Sequence, residues 1–262
     1  MRILFIGDVV GKPGRMCVQQ WTPHLCEELA IDFVIANGEN SAGGLGATPD
    51  TLNELLGAGV QLITLGNHTW RKKELARSLE SFPNVIRPAN FPPDVPGRGS
   101  AVVEAASGRR VAVLNLIGRV YMEPQDCPFR LADTAVERLS QEADLVLVDF
   151  HAEATAEKVA MGWFLDGRCA AVLGTHTHVQ TADERVLPGG TAYISDVGMT
   201  GPFDSVIGME RAPILQRFLD GMPVQFQVAR DRPGLNGVVV EVDDATGLAR
   251  SIERVQRYGA PE

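Results

Sequence analysis

Cysteine is scarce in this sequence and shows no pairing pattern. Its four cysteines, at positions 17, 26, 127 and 169, include no C-x-x-C pair. Cys17 and Cys26 fall within one predicted helix, too far apart to form a disulfide bond. We therefore expect reduced, buried thiols, and a thiolate-rich structural zinc site is disfavoured.

Long apolar runs are also missing. No stretch approaches the roughly 20 apolar residues that a membrane-spanning helix requires. Residues 1–10 alternate like a strand and carry neither the basic start nor the cleavage site of a signal peptide. We expect a cytoplasmic protein that neither spans a membrane nor is exported.

Positive charge is in deficit. Lysine and arginine total 24 against 33 aspartates and glutamates, which gives a formal net charge of −9. This charge repels a polyanion over most of the surface, so extended binding of DNA or RNA is disfavoured. A small phosphate ester at a local cationic site is compatible with it, as is a homo-oligomer.

The chain nevertheless contains enough apolar residues for a sizeable core. With 262 residues and 45% hydrophobic composition, it is predicted to form one domain over residues 1–262. Apolar, β-rich runs alternate with amphipathic stretches, which is typical of an α/β fold. The runs predicted as buried strands are 3–7, 33–36, 62–65, 111–116, 145–148 and 171–173.

Local signals refine this fold. Thr48 is a predicted N-cap, with Pro49 at the first helical position and Gly57 near the helix end. From Glu184 onward the pattern changes: residues 188–195 suggest a hairpin, and 224–228, 237–242 and 248–257 suggest antiparallel strands. A mixed or two-sheet sandwich follows.

Side chains of metal-ligand type follow the predicted strands. They are Asp8 after the first, Glu39 and Asn40 after the second, Asn67 and His68 after the third, His151 after a later one, and His176 and His178 after the last. The carboxyl ends of strands in open α/β sheets converge on one edge, where ligands bind. One histidine alone is more often structural than a ligand, but four of the five histidines lie at strand ends, and His24 has no assigned role.

The number and spacing of these residues predict two metal ions. We expect residues 174–178 to be extended, so that the rings of His176 and His178 project to the same side and one serves each ion. Glu39 has two carboxylate oxygens and could bridge the cations. Seven ligands exceed what one ion usually takes, and a two-metal site suits in-line phosphoryl displacement.

Two segments near these residues each have one functional and one structural interpretation. The Gly-rich residues 41–46, beside Glu39, either let the backbone approach a phosphate or form a flexible turn. Residues 196–202 follow the predicted strand at 191–195 and form either part of a pocket rim or an ordinary loop.

Together these motifs resemble the calcineurin-like metallophosphoesterases. The flanking sequences G-D-V-V-G-K-P-G-R at 7–15, H-A-E-A-T at 151–155 and H-V-Q-T-A-D at 178–183 are more particular and resemble its YmdB-like branch of bacterial cyclic-nucleotide phosphodiesterases. The resemblance implies two mixed β-sheets flanked by helices. The usual Asp-x-His motif is absent, because Val9 and Val10 follow Asp8, and Asn40 is the expected replacement ligand.

The resemblance also implies a role for each residue. Asp8, Glu39, Asn40 and His178 would hold one ion, and Glu39, Asn67, His151 and His176 the other. Iron is favoured, with manganese and zinc as alternatives. A hydroxide shared by the cations would attack phosphorus, and His68 would act as the general acid for the leaving ribose oxygen.

These roles predict hydrolysis of small cyclic nucleotides. The 2′,3′-cyclic monophosphates come first, with 3′,5′-cyclic monophosphates left open. The alternatives are a phosphomonoesterase or protein phosphatase with the same metals, and a regulatory metalloprotein that binds nucleotide with little turnover.

Overall fold

The computed structural model describes residues 1–261 and contains mixed α/β structure. Within those residues the helices are α1 (Gly11–Glu28), α2 (Pro49–Gly57), α3 (Lys73–Ser78), α4 (Pro128–Glu142), α5 (Thr155–Phe164) and α6 (Arg211–Asp220), together with 3-10 turns at Thr69–Arg71 and Leu79–Ser81. None of the helices in this described part is both long enough and apolar enough to cross a bilayer.

The strands are numbered in chain order. They are β1 (Arg2–Ile6), β2 (Asp8–Val9), β3 (Phe33–Asn37), β4 (Leu62–Thr64), β5 (Val85–Ile86), β6 (Ser100–Glu104), β7 (Arg110–Ile117), β8 (Leu145–His151), β9 (Ala171–Thr175), β10 (Arg185–Val186), β11 (Ala192–Ile194), β12 (Met199–Pro202), β13 (Pro233–Val242) and β14 (Ala249–Tyr258).

The strands form two mixed sheets. Sheet one has the order β2-β12-β13-β1-β3-β4-β5, with β14 paired to β13, and sheet two has the order β10-β11-β9-β8-β7-β6. Strands β1, β3, β4 and β5 run parallel in sheet one, and β7, β8, β9 and β11 run parallel in sheet two. Each sheet therefore has a block of carboxyl ends at one edge, as the sequence predicts.

The sheets pack face to face, with helices on their outer faces. Alternation along β1 shows the arrangement, since Ile3 and Phe5 enter the core between the sheets whereas Leu4 and Ile6 face the core shared with α1 and α2. Sheet two packs its outer face against α4 and α5. Strands buried on both faces explain the continuous apolar runs in the sequence.

Several local predictions are confirmed. Thr48 caps α2 in a reciprocal capping box with Thr51, Pro49 opens the helix and Gly57 ends it. Strands β10 and β11 form the predicted hairpin, and β13 pairs antiparallel with β14.

The predicted strand at 224–228 is wrong. That segment is irregular, and its ladder contact within the described residues is one isolated bridge between Val228 and Met209. Its alternating Val-Gln-Phe-Gln-Val pattern fits a strand, but the segment joins neither sheet of the described residues and Phe226 is 43% exposed. Local pattern alone does not make a strand without a partner.

Candidate metal centre

The eight side chains singled out in the sequence come together at the carboxyl edge of the sandwich. Sheet one contributes residues just beyond β1, β3 and β4, and sheet two contributes the last residue of β8 and the loop after β9. Those residues are Asp8, Glu39, Asn40, Asn67 and His68 from sheet one, and His151, His176 and His178 from sheet two.

One group of ligand atoms surrounds the Nε2 atom of His151. Asn67 Oδ1 lies 2.9 Å from it, His176 Nδ1 lies 3.1 Å from it, and Glu39 Oε1 lies 3.3 Å from it. Glu39, His151 and His176 each offer a ligand atom within 4.8 Å of the others. Such convergence of oxygen and imidazole atoms suits a divalent cation of the first transition series.

A second group of side chains also contacts Glu39 Oε1. Asn40 Nδ2 is 3.1 Å from Glu39 Oε1 and 3.2 Å from His178 Nε2, while His178 Nε2 is 3.9 Å from Asp8 Oδ1. Glu39 Oε1 therefore contacts both groups, and its bridging role stays a prediction.

The unpaired oxygen of Asp8 tests whether this site fits a metal. Asp8 is fully buried, and its Oδ1 makes no hydrogen bond within residues 1–261. An uncompensated buried carboxylate oxygen is costly, and a bound cation would satisfy it. The donor set therefore fits a bound metal ion. Two ions, one held by Asp8, Glu39, Asn40 and His178 and the other by Glu39, Asn67, His151 and His176, stay a prediction from sequence.

The orientation of the Asn40 side-chain amide determines which of its atoms faces the predicted metal site. Its Nδ2 faces Glu39 and His178, and its Oδ1 lies 2.7 Å from His68 Nδ1. Ligation through oxygen requires the amide to turn over, which is a 180° exchange of two atoms of similar size. Asn40 Nδ2 would then donate to His68 Nδ1.

Burial and charge shift the proton affinities of these groups. Burial raises the pKa of Asp8 above its ordinary value. Burial acts in the same direction on Glu39, but the imidazoles of His151 and His68 outweigh it and hold the pKa of Glu39 well below its usual range. These carboxylates in turn overcome the burial of His151 and raise its pKa to about 9, whereas burial and the neighbouring His151 lower the pKa of His176 to about 3.

The site is packed so closely that one position must be glycine. A Cβ atom added at Gly66, between β4 and Asn67, would overlap Glu39 Oε2 and His151 Nε2. The backbone there approaches the ligand atoms to van der Waals contact or closer, so any larger residue must displace them. Glycine at 66 thus allows the two sheets to close around the site.

The extended conformation predicted for residues 174–178 is wrong. Strand β9 ends at Thr175, and His176 and His178 have φ values of 99° and 66°. Positive φ is uncommon for residues other than glycine and costs free energy that the surroundings must supply. Both rings still reach the site, but they do so through this bend.

A buried ion pair that the sequence interpretation missed holds this bend. Asp196 Oδ2 accepts from Lys158 Nζ at 2.7 Å and from the backbone N and Oγ1 of Thr177 at 3.0 and 2.7 Å. Lys158 and Asp196 are 2% and 1% exposed. In the segment 196–202, Asp196 therefore has a structural role, and residues 199–202 form β12 rather than a loop. The position of Asp196 directly after a predicted strand was the available signal.

His68 contacts two of the predicted ligands, with its Nδ1 at 3.3 Å from Glu39 Oε1 and 2.7 Å from Asn40 Oδ1. Its backbone N donates to Glu39 Oε2 at 3.0 Å, and its side chain is 21% exposed. Glu153, also missed, lies 3.2 Å from His176 Nε2 at the exposed side of the site. The structure brings all eight sequence-derived residues together, while their individual roles stay predictions.

Comparison with known proteins agrees with this geometry. A 2′,3′-cyclic-nucleotide 2′-phosphodiesterase of Bacillus subtilis (strain 168) is 51% identical over 255 residues, which cover 97% of this chain and 96% of that protein. The crystal structure of a hypothetical protein from Thermus thermophilus superposes with a TM-score of 0.92 at 43% identity and full coverage of both chains.

A third comparison and a family model extend the agreement. The crystal structure of a novel phosphatase from Mycoplasma pneumoniae has a TM-score of 0.92 at 36% identity, covering 99% of this chain and 94% of that one. The model of the YmdB-like protein family matches residues 4–255. The chain therefore belongs to the YmdB-like family and has the calcineurin-like metallophosphoesterase fold.

Proposed function

We propose that this protein is a binuclear metal-dependent phosphodiesterase that hydrolyses 2′,3′-cyclic nucleotides. The observation that carries the proposal is the convergence of Glu39 with two ligand groups, together with the buried, unpaired Oδ1 of Asp8. The activity of the Bacillus subtilis relative supports the substrate class. Iron is the proposed native metal, with manganese and zinc as alternatives.

Cations held by these residues would neutralise the phosphate oxygens and lower the pKa of a water molecule. The chain's own contribution begins with orientation, since four of the predicted ligands are buried and held by hydrogen bonds: Asp8, Glu39, Asn40 and His151. A phosphodiester that binds there would lie in a site with little bulk water. Positioning of this kind supplies much of the catalysis of phosphoryl transfer.

Protonation of the leaving ribose oxygen is assigned to His68. Its Nδ1 faces Asn40 Oδ1 at 2.7 Å and Glu39 Oε1 at 3.3 Å, and its ring is partly exposed. Nε2 is then the ring atom that delivers the proton. An alkoxide is a poor leaving group without one, so this transfer contributes to the rate.

Phosphomonoester hydrolysis is the second candidate. It is favoured by the Mycoplasma pneumoniae structure, which is described as a phosphatase and shares 36% of its sequence with this chain. The same residues could orient a monoester, because both reactions displace an oxygen from phosphorus. The two candidates differ in the charge on the phosphate that the site must accept.

A substrate screen tests the proposal. Protein purified anaerobically would be assayed with 2′,3′-cyclic and 3′,5′-cyclic nucleotides, and with bis-p-nitrophenyl phosphate against p-nitrophenyl phosphate. We expect the highest kcat/KM for 2′,3′-cyclic nucleotides and faster turnover of the diester than the monoester. Dominant monoester hydrolysis, or no turnover by a metal-loaded protein, would contradict the proposal.

The proposal includes a cytoplasmic location and a small-molecule partner. None of the four cysteines, all within the described residues, forms a disulfide, which is compatible with a reducing compartment. The net charge of −9 argues against extended nucleic acid as substrate. A single domain over residues 1–262 and a homo-oligomer remain predictions from sequence.

A further inference from the structure

A chain of fully buried hydrogen bonds lies behind His151. Its Nδ1 is 2.9 Å from Thr175 Oγ1, which is 2.7 Å from Asp149 Oδ1. The other oxygen of Asp149, Oδ2, is 3.3 Å from Asn37 Nδ2, and Asn37 Oδ1 is 3.1 Å from the backbone N of Glu39. Asn37, Asp149, Thr175 and His151 are each 0% exposed.

The direction of each of these hydrogen bonds follows from the donors and acceptors along the series. The backbone N of Glu39 can only donate, so Asn37 must present Oδ1 to it and Nδ2 to Asp149. Thr175 Oγ1 donates its single hydroxyl proton to Asp149 Oδ1 at 2.7 Å. Thr175 Oγ1 can then only accept from His151, which places a proton on Nδ1 of His151.

The opposite direction makes a different prediction for the metal site. A protonated Asp149 would donate to Thr175, and Thr175 would donate to Nδ1 of His151. The remaining ring proton would then lie on Nε2, the atom that faces Asn67 and His176. An Nε2–H group cannot bind a cation. The direction of the hydrogen bonds therefore decides whether His151 can act as a metal ligand.

We propose that Asp149 and Thr175 are positioning residues that hold a proton on Nδ1 of His151 and thereby aim the Nε2 lone pair at the metal site. This inference rests on the proposed function. Asn37 lies at the end of β3 in sheet one, whereas Asp149, His151 and Thr175 lie on β8 and β9 in sheet two. The same series of hydrogen bonds therefore connects the backbone of Glu39 to the ring of His151 across the two sheets.

Conservative changes at Thr175 test the hydroxyl. Thr175→Val keeps the shape of the side chain but removes the hydrogen bond, whereas Thr175→Ser keeps the hydroxyl. Thr191→Val is the matched control, since Thr191 is equally buried and its hydroxyl donates to the carbonyl oxygen of Cys169 at 2.7 Å, away from the ligands. The readout is the affinity of the metal-free protein for Zn²⁺ by calorimetry.

We expect Thr175→Val to weaken the zinc site that contains His151 by about 10–100-fold, the usual effect of losing a partner behind a metal ligand. Thr175→Ser should lie near the wild-type affinity, and Thr191→Val should match the wild type. Equal zinc affinity of Thr175→Val and wild type would overturn the inference.

Exchanging the side chains of Asn37 and Asp149 tests the direction of the hydrogen bonds separately from the charge of Asp149. In Asp149→Asn the new amide must face either Thr175 or Asn37 with the wrong group, so zinc affinity should fall. The double variant Asn37→Asp/Asp149→Asn restores acceptor to donor pairing along the whole chain and should recover affinity. No recovery would overturn the argument from hydrogen-bond direction and leave the charge of Asp149 as the cause.

Wild-type protein provides a measurement that does not depend on whether variants fold. In zinc-loaded protein with ¹⁵N-labelled histidine rings, NMR should show a proton bonded to Nδ1 of His151 and none on Nε2. An Nδ1 atom without a proton would overturn the inference while leaving the proposed function intact. A wild-type protein that binds no zinc and cleaves no diester would contradict both the inference and the proposed function.

Discussion

The two halves of the metal centre are built from different chemistry. Sheet one would supply oxygen ligands from the carboxylates and amides that follow β1, β3 and β4, whereas sheet two would supply three imidazoles. The oxygen ligands are placed by short turns, including the close approach of Gly66. The imidazoles depend on further buried side chains, namely Thr175 behind His151 and Asp196 behind the His176–His178 bend.

This difference shows what each half contributes to binding. Carboxylates bring the negative charge that attracts cations, and Glu39 brings it to both ligand groups. Imidazoles bring direction, because each ring offers one lone pair that must be correctly protonated and aimed. Neither sheet alone carries all of the predicted metal ligands. The site therefore depends on the packing of the two sheets against each other.

The largest expected effect is at the oxygen ligand shared by both groups. Glu39→Ala should lose both ions and nearly all activity, a greater loss than the roughly 10–100-fold that follows removal of an outer partner. Asp8→Ala, the matched variant, should chiefly lose one ion. Metal analysis of both proteins checks this, and full retention of two ions in Glu39→Ala would contradict bridging.

The next largest effect separates catalysis from metal binding within the same half. His68→Ala should keep both ions but lose about 100–10,000-fold in kcat, because the residue is assigned proton transfer rather than ligation. Activity and metal content measured on the same preparation check this. A fall in metal content would instead make His68 a ligand.

A substitution of Lys158 tests whether the buried ion pair behind the His176–His178 bend stabilises the protein. Lys158→Met leaves the 1% exposed Asp196 without its cation and should destabilise the protein by about 3–5 kcal/mol. Arg138→Met is the control, since its ion pair with Glu142 is 54% and 43% exposed and should contribute about 0–1 kcal/mol at most. Urea unfolding of the metal-free proteins measures both, and equal losses would contradict the supporting role.

The smallest expected effect distinguishes two histidines of the same half. In the metal-free protein the pKa of His151 is about 9 and that of His176 is about 3, so near neutral pH the first ring is protonated and the second is neutral. Of these two rings, His151 must lose a proton before its Nε2 can bind a metal ion. Zinc affinity should therefore rise about tenfold per unit between roughly pH 7 and 8. Calorimetry in buffers of different ionisation enthalpy measures it, and a flat profile would contradict the assignment.

Much of the fold and the site could be predicted from sequence because the signals are local. Apolar runs located the parallel strands, and a polar residue directly after each run located an edge residue such as Asp8 or Asn67. The hairpin near Gly190 and the cap at Thr48 follow from turn and helix chemistry.

The remainder depends on contacts between distant parts of the chain. Residues 224–228 alternate like a strand but find no partner edge. The bend at His176 and His178 is held by Lys158 and Asp196, which nothing in the local sequence connects. Asp149 lies two residues before His151 on one strand, a spacing that puts both on the same face, but only sheet pairing brings Thr175 opposite His151.

Metal stoichiometry tests the central claim most directly. Protein purified anaerobically would be analysed by mass spectrometry of its elements, with sulfur from cysteine and methionine counting the protein in the same sample. The shared position of Glu39 between the oxygen and imidazole halves predicts two metal ions per chain. A fully loaded, active protein with a single ion per chain would contradict it.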